Sequence, residues 1–212
     1  IATCAGTVDF GGGALVASGS TDFVLAKYSP AGAHIWSKRL GGASVDEAFG
    51  VDVDAAGSIF VCGSYLGSTD LGGGLLPSAG GRDMFLAKFD TNGNHTWSKR
   101  FGSTGYDQGL SIAGDGLGNV LATGSYEGAV SFGGSMFMAA SGPNVFLAKF
   151  DGNGTHVWSQ SYGANGFDIG YAVAVDGSNS PVVTGYCESD IDFGGGNLVS
   201  NGAYDVFLAK FD

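Results

Sequence analysis

The chain has 212 residues, enough for one domain with a substantial core, and contains 40 glycines but only 14% charged residues. Its net charge of −11 argues against nucleic acid and anionic membranes as partners, because both require a basic surface. No apolar run approaches the roughly 18 residues of a membrane-spanning helix, so no membrane insertion is expected. The start at Ile1 is typical of a mature or excised segment.

The glycine content, together with 12% aromatic residues, favours many tight turns between short apolar strands over disorder. Cys4, Cys62 and Cys187 form neither a metal-binding pattern nor an even set of disulfides. The sequence therefore predicts at least one free and buried thiol.

The chain is a tandem array, because sliding it against itself gives one dominant offset of 61 residues. This offset predicts a partial unit at 1–40, full units at 41–101 and 102–162, and a partial unit at 163–212. A residue required in every unit is more simply explained by packing than by catalysis. We therefore expect structural roles for the recurring residues, which are His34, His95 and His156, Trp36, Trp97 and Trp158, and Lys27, Lys88, Lys149 and Lys210.

Each full unit predicts four strands. "AFGVDVDAAGSIFVCGSYLG" contains two β-rich runs around "DAAG", and "DMFLAKFDTNGNHTWSKRFG" contains two more around "DTNG". In these turns an Asp or Ser side chain closes the turn and a glycine takes a positive φ angle, which is the chemistry of a hairpin. Helix has little support, since glycine interrupts nearly every window.

Alternation along "MFLAKFD" sends Phe85, Ala87 and Phe89 to one face of the sheet and Leu86 and Lys88 to the other. Both faces are partly apolar. Sheets that bury both faces while connecting hairpin to hairpin are typical of β-propeller blades. The sequence therefore predicts an all-β, propeller-type repeat array of four-stranded antiparallel blades.

Three stretches, "GVDVDAAGSIFVCGSY", "YAVAVDGSNSPVVTGY" and the "DVFLAKFD...G...W" hairpin, resemble the bacterial seven-bladed β-propeller repeat family, often called the SBBP repeat. The resemblance covers the full length of the chain. It implies a repeat region of a large secreted or cell-surface protein. The unit here is longer than the usual repeat, and the additional residues lie in "GSTDLGGGLLPSAGGR" and its copies.

The array does not contain a whole number of units, since the third-strand segment is expected four times and the others three times. Such a ring does not close alone. A fragment of a longer propeller, a ring completed by a second copy and an open stack all remain compatible with the sequence. Unpaired strand edges invite another strand, so we expect a homo-oligomer, or neighbouring repeats of a longer chain, as partners.

The long loops, between fourth and first strands and between second and third strands, are expected at one end of the blades. Most of the acidic residues fall there, with tyrosines nearby, so this end is the candidate binding face. Carboxylates and carbonyls are ligands for Ca²⁺, and tyrosines beside acids suit sugars. The candidate ligand-binding residues are Asp46, Glu47, Tyr65, Asp70, Asp107, Tyr126, Glu127, Asp168, Tyr186, Glu188, Asp190 and Asp192.

A structural alternative stays open for part of this set. Asp46, Asp107 and Asp168 are also suited to capping the loop that starts each blade, and Asp22, Asp83 and Asp205 to pairing with a strand lysine or with backbone amides. No resident cofactor and no metal site are predicted, although Ca²⁺ is compatible with the acidic face.

No catalytic set is expected, because the three histidines belong to equivalent outer strands of different blades. The sequence thus predicts a non-enzymatic scaffold or adhesive protein that assembles through strand edges, and the resemblance to the SBBP repeat implies that it is extracellular or on a bacterial surface. The alternative is a carbohydrate-binding, lectin-like propeller, assisted by Ca²⁺, that uses the acidic, glycine-rich face. A glycan hydrolase or lyase is a third hypothesis. Its candidate catalytic acids are those that we interpret as departures from the repeat, namely Glu47, Glu127, Glu188 and Asp190.

Overall fold

The computed structural model describes all of residues 1–212, which form strands and turns without any helix. It therefore contains no helix that could cross a membrane. The strands are β1 (Ala2–Cys4), β2 (Thr7–Asp9), β3 (Ala14–Val16), β4 (Asp22–Tyr28), β5 (His34–Leu40), β6 (Asp46–Val53), β7 (Ile59–Asp70), β8 (Leu75–Phe89), β9 (His95–Phe101), β10 (Gln108–Gly114), β11 (Val120–Ser131), β12 (Met136–Phe150), β13 (His156–Tyr162), β14 (Ile169–Val175), β15 (Pro181–Cys187), β16 (Ile191–Asp192), β17 (Asn197–Leu198) and β18 (Asp205–Lys210).

These strands form four main antiparallel sheets, one for each unit of the repeat. Sheet 1 has the order β1-β4-β5, sheet 2 β6-β7-β8-β9, sheet 3 β10-β11-β12-β13 and sheet 4 β14-β15-β18. The prediction of an all-β array with four-stranded antiparallel sheets is confirmed. One detail was wrong: β1 is a second strand, so second strands as well as third strands occur four times.

Aspartates close the short turns, as the shared turn sequences predict. Asp90 Oδ1 accepts hydrogen bonds from the N–H groups of Asn92 and Asn94, both at 2.8 Å, and Gly93 takes a φ of 70°. In "DGSN" the positive φ, 65°, falls on Asn179. Asparagine tolerates this region better than most residues, so the turn forms without glycine at that position.

Alternation along the third strand buries both faces of an inner sheet. In β8, Phe85 and Phe89 pack with Phe23 of sheet 1, whereas Leu86 on the opposite face packs with Phe146 of sheet 3. Burial of one such side chain contributes about 1.5–3 kcal/mol. Each inner sheet therefore depends on its two neighbours for most of its core.

The first strands β6, β10 and β14 contact one another, and the fourth strands form the opposite edge of each sheet. Glycine allows this close approach: a Cβ at Gly50 would lie 3.0 Å from the backbone nitrogen of Ile112 in the next first strand. The first strands thus line the inner side of the array, as in propeller blades.

The long insertion of each unit folds back over its own sheet as a β-hairpin. In sheet 3 the chain turns at a bulge between Tyr126 and Gly128, and Phe132 at the hairpin tip then packs on Phe146 with ring centroids 4.7 Å apart. Phe132 also lies 5.3 Å from Phe101 of the preceding sheet. The hairpin therefore fills the wedge between the outer parts of two sheets.

The recurring histidines serve this packing. The ring of His95 lies edge-on to Phe89, with centroids 6.1 Å apart, and its Nε2 lies 3.0 Å from Ser98 Oγ. The hairpin tip rests on the same ring, because a Cβ at Gly73 would overlap it. His34 and His156 make the same contacts with Ser37 and Ser159.

Candidate functional site

Three of the predicted binding residues, Asp46, Asp107 and Asp168, are buried at the junctions between sheets. Asp107 Oδ2 accepts a hydrogen bond from the N–H of Ser103 at 3.0 Å, and its Oδ1 accepts one from the N–H of Glu127 at 3.2 Å. The carboxylate thus joins the loop that enters sheet 3 to the bulge where the insertion begins. Surface ligands do not reach these side chains, so the geometry agrees with the loop-capping alternative.

Burial raises the pKa of Asp107 to about 7, although the two backbone amides favour its charged form and oppose the shift. The nearby carboxylates of Asp83 and Glu127 raise the pKa further. The pKa values of Asp46 and Asp168 are raised by burial as well. These groups are perturbed because of their place in the core.

A second acid lies beside Asp46 and beside Asp107, and each of these second acids has its own partner. Asp22 pairs with Arg39 at 2.8 Å and Asp83 with Arg100 at 3.5 Å. The sequence predicted a strand lysine or backbone amides as partners, and backbone amides do bind these acids: the N–H groups of Ser18, Ala79 and Asn201 donate to Asp22, Asp83 and Asp205. The paired cation, where one is present, is an arginine. Asn144 stands at the equivalent place in sheet 3, and Ser161 there replaces the arginine. Sheet 3 therefore lacks both the arginine and the second carboxylate that the arginine would neutralise.

The tyrosines of the candidate face separate into two environments. Tyr65 and Tyr126 are buried, and the hydroxyl of Tyr126 lies 2.6 Å from Ser161 Oγ. Tyr186 is only half-buried. In the 61-residue register the residue equivalent to Tyr65 and Tyr126 is Cys187, so Tyr186 lies one residue before that position. All three cysteines, Cys4, Cys62 and Cys187, are free and buried, which confirms the predicted free thiol.

Asp70 and Asp192 do not lie at the long-loop end as expected. Each caps its hairpin: Asp70 Oδ1 accepts hydrogen bonds from the N–H groups of Gly72 and Gly74 at 2.8 and 3.2 Å, and Asp192 does the same for Gly194 and Gly196. Because the hairpin folds back along the sheet, its tip reaches His95 at the short-turn end. The sequence carries no signal for this reversal.

The remaining four acids bind neighbouring loops. Glu47 pairs with Arg82, and Glu127 accepts a hydrogen bond from the N–H of Tyr106 at 3.1 Å. Glu188 accepts one from the N–H of Phe167 at 2.8 Å, and Asp190 accepts one from the N–H of Ser200 at 3.0 Å. Glu127 and Glu188 are 61 residues apart and make equivalent contacts, so the prediction that they depart from the repeat was wrong. The structure thus distributes the twelve candidate residues over several junctions and hairpins. It does not bring them together in one site, and no group of three or more His, Cys, Asp or Glu side chains is arranged to hold a metal ion.

The most distinctive surface is one that sequence reasoning missed, namely the outward face of sheet 4, which we call the open face. Four leucines are equivalent in the 61-residue register: Leu25, Leu86 and Leu147 are 3%, 2% and 0% exposed, but Leu208 is 72% exposed. Val206 beside it is 84% exposed. In sheets 1 to 3 this face is covered by the next sheet.

Aromatic residues extend the open face. Tyr186 lies between Tyr171 and Tyr204, with ring centroids 5.4 and 4.9 Å apart, and it pairs in register with Val206. Tyr171 and Tyr204 are exposed. At the position of Tyr186, sheets 2 and 3 carry the buried serines Ser64 and Ser125. The end of the array thus differs from its interior, a difference visible in the sequence once the register is known.

No protein-family model matches the chain. The chain is similar to "Uncharacterized WD repeat-containing protein L264" of Acanthamoeba polyphaga mimivirus, with 24% identity over 183 residues. The match covers 72% of this chain but only 13% of that protein, so the chain spans a small part of its relative's length. Together with the stacked four-stranded sheets, this similarity supports a β-propeller-type repeat, while membership of the SBBP family is not confirmed.

Proposed function

We propose that the chain is a non-enzymatic scaffold module that associates with a second copy through the open face of sheet 4. The observation that carries the proposal is the exposure of Leu208, since its three equivalents are buried under a following sheet. Apolar side chains that are buried in every inner unit and exposed in the last one mark an interaction surface. The WD repeat relative supports the repeat-scaffold part of the proposal.

The strand edges of the terminal sheets support the same proposal. In sheet 4, β18 pairs with β15 on one side only, and in sheet 1, β1 pairs with β4 on one side only. Unpaired N–H and C=O groups along an edge favour addition of another strand. We therefore expect a second copy to contact the open face and the adjoining edge together.

Light scattering coupled to size exclusion over a range of concentrations tests this association. We expect a mass above that of the 21.3 kDa chain, and we expect Leu208→Asp to return it to the single-chain mass without lowering the unfolding temperature. Leu75→Asp is the matched control, because Leu75 is also exposed but lies on the hairpin of sheet 2. A compact 21.3 kDa monomer at every concentration contradicts the proposal.

The proposal includes a secreted or cell-surface location and membership of the SBBP repeat family, both on the support of the sequence resemblance. It assigns no catalytic residue and no resident cofactor to the chain. Fractionation of cells that produce the full-length protein tests the location: protein confined to the cytoplasm contradicts it.

Carbohydrate binding is the second candidate function, favoured by the cluster of Tyr171, Tyr186 and Tyr204. Half-exposed aromatic rings offer flat apolar faces with hydroxyl groups at their rims, which suits sugar rings. Glu188 lies near this cluster, and its charge contributes to a pKa of Tyr186 that burial raises to about 12. A glycan array probed with and without a Ca²⁺ chelator tests this function; a silent array in both conditions excludes it.

A further inference from the structure

Unsatisfied oxygens are concentrated at the junction between sheets 1 and 2. Five buried side-chain atoms of the chain have no hydrogen-bond partner, and three of them, Asp22 Oδ1, Asp46 Oδ1 and Thr69 Oγ1, belong to this junction. All three residues are completely buried. Buried polar atoms in proteins are nearly always hydrogen-bonded, and leaving one unsatisfied costs free energy. Three such oxygens in one place therefore indicate a common ligand.

These side chains meet beside the loop that connects sheet 1 to sheet 2. A Cβ at Gly41 would lie 2.5 Å from Asp22 Oδ1 and 3.1 Å from Asp46 Cβ, and one at Gly42 would lie 3.4 Å from Thr69 Cα. Burial raises the pKa of Asp46, and the Thr69 hydroxyl opposes this shift, because it lies beside that carboxyl group. Since Gly41 has no side chain, the space between the two carboxylates stays free.

One buried negative charge at this junction has no cation of its own. Arg39 Nη1 pairs with Asp22 Oδ2 at 2.8 Å. Asp46 Oδ2 accepts a hydrogen bond from the N–H of Gly42 at 2.8 Å, but no ion pair joins Asp46 to a basic side chain. Buried charges in proteins are paired or bind a metal ion. A monovalent cation would neutralise the excess charge, whereas a divalent cation would leave a buried positive charge.

Asp46 lacks a hydrogen bond that its equivalent in the next sheet makes. Asp107 Oδ1 accepts one from the N–H of Glu127 at 3.2 Å. The equivalent N–H at the first junction belongs to Leu66, and it donates to the carbonyl oxygen of Val45 at 2.9 Å instead. Asp46 Oδ1 is therefore left available for a ligand, although the acid itself recurs in each unit.

A threonine supplies a further oxygen at the same place. In the 61-residue register Thr69 is equivalent to Val130 and Ile191, and all three side chains are buried. A buried hydroxyl group costs free energy relative to an apolar side chain unless it has a partner. The junction between sheets 1 and 2 thus combines a free carboxylate oxygen with a hydroxyl group that the other junctions replace by carbon.

We propose that Asp22 Oδ1, Asp46 Oδ1 and Thr69 Oγ1 bind a monovalent metal ion, Na⁺ or K⁺, between sheets 1 and 2. Carboxylate and hydroxyl oxygens are the hard ligands that such ions prefer. Because the site is enclosed between two sheets, it exists only in the folded protein, and the bound ion stabilises that state. The site lies within one chain and does not depend on self-association through the open face.

Thermal unfolding of the intact chain in chloride salts of equal ionic strength tests the site directly. We expect an unfolding temperature about 2–4 °C higher in NaCl or KCl than in choline chloride, whose cation is too large for a buried site. Equal ionic strength keeps the general screening of surface charges the same in every salt. The same unfolding temperature in all of these salts, or a rise that only CaCl₂ produces, overturns the proposal.

A pair of variants checks the location of the site. Thr69→Val introduces the residue found at Val130, and it should abolish the difference between NaCl and choline chloride. Thr123→Val is the matched control: Thr123 is also buried, but its hydroxyl donates to the Phe146 carbonyl oxygen at 2.6 Å. This control should lose stability equally in both salts and keep the difference between them. A difference of natural size in Thr69→Val would indicate an adventitious ion only and overturn the proposal.

Asp46→Asn gives a second check, which also serves if Thr69→Val fails to fold as judged by circular dichroism. Removal of the excess negative charge should abolish the difference between NaCl and choline chloride, whatever the change in overall stability. A folded Asp46→Asn protein that keeps the full difference overturns the proposal. If neither variant folds, the comparison of the salts on the natural chain decides.

Discussion

The indole N–H of Trp97 donates a hydrogen bond to the carbonyl oxygen of Gly152 at 3.1 Å, across the junction between sheets 2 and 3. The two residues are 55 positions apart, and Trp36 and Thr91 repeat the relationship at the same separation. The recurring tryptophans, for which the repeat predicts a structural role, therefore hold one unit of the repeat against the next.

Trp97→Phe keeps an aromatic ring at the junction between sheets 2 and 3 and removes the hydrogen bond to Gly152. We expect it to lower the free energy of unfolding by about 1 kcal/mol, the typical contribution of one such bond. Trp158→Phe is the control, because its indole N–H has no acceptor, and it should change stability by less than about 0.5 kcal/mol. Urea unfolding of both variants measures the difference, and equal effects would contradict the role assigned to the hydrogen bond between Trp97 and Gly152.

Gly154→Ala tests the contact between the turn and the ring. Gly154 and Gly118 both have positive φ angles, 77° and 89°, but only a Cβ at Gly154 meets a ring, whereas one at Gly118 meets nothing within 4 Å. Gly118→Ala should therefore cost only the backbone strain, about 1–2 kcal/mol. Thermal unfolding should show a larger loss of stability for Gly154→Ala than for Gly118→Ala. An equal loss would mean that the ring of Trp97 moves aside at no cost in free energy.

The buried carboxyl group of Asp107 should make the folded protein less stable as pH rises. Burial raises its folded-state pKa from 3.8 to about 7, so between these values the folded protein holds a proton that the unfolded chain has lost. The free energy of unfolding should therefore be highest below this window and fall as pH rises through it. Urea unfolding at a series of pH values measures this dependence. Asp107→Asn should make the free energy of unfolding nearly independent of pH in this window, and an unaltered dependence would show that Asp107 is not its cause.

The carboxyl group of Asp115 should make the folded protein less stable as pH falls, at a lower pH than the effect of Asp107. Burial alone would raise its pKa, but Lys149, Asn119 and backbone amides outweigh burial and lower the pKa to about 2. Its stabilisation is present above the ordinary value of 3.8 and is lost as pH falls toward 2. Asp115→Asn should remove most of this acid-side loss in the same titration, and a variant that retains the full loss would assign it to other carboxyl groups.

The strands and turns were predictable because their chemistry is local. A turn such as "DTNG" specifies its own hydrogen bonds through Asp90 and its positive φ through Gly93, and alternation along β8 specifies which side chains share a face. The structural role of the histidines was also predictable, since equivalent residues of separate sheets do not converge on one site. These inferences need no knowledge of how the sheets are placed.

The candidate site was harder to predict because burial at a junction depends on two sheets at once. Asp107 and Tyr126 have residue types common on surfaces, and only the neighbouring loops make them interior. The return of the hairpin onto His95 depends on a bulge and three consecutive glycines, a segment without periodicity. The open face was readable in principle, because Leu208 is the last member of a series whose other members are followed by another sheet.

The central claim is that each sheet is stabilised by the sheet that follows it, and Leu→Ala at four equivalent positions tests this most directly. Leu25, Leu86 and Leu147 are buried between sheets, so each substitution should lower the free energy of unfolding by about 2–5 kcal/mol. Leu208→Ala should cost less than about 0.5 kcal/mol in dilute solution, where no second copy is bound. Four equal losses in urea unfolding, or a larger loss at Leu208, would contradict the account.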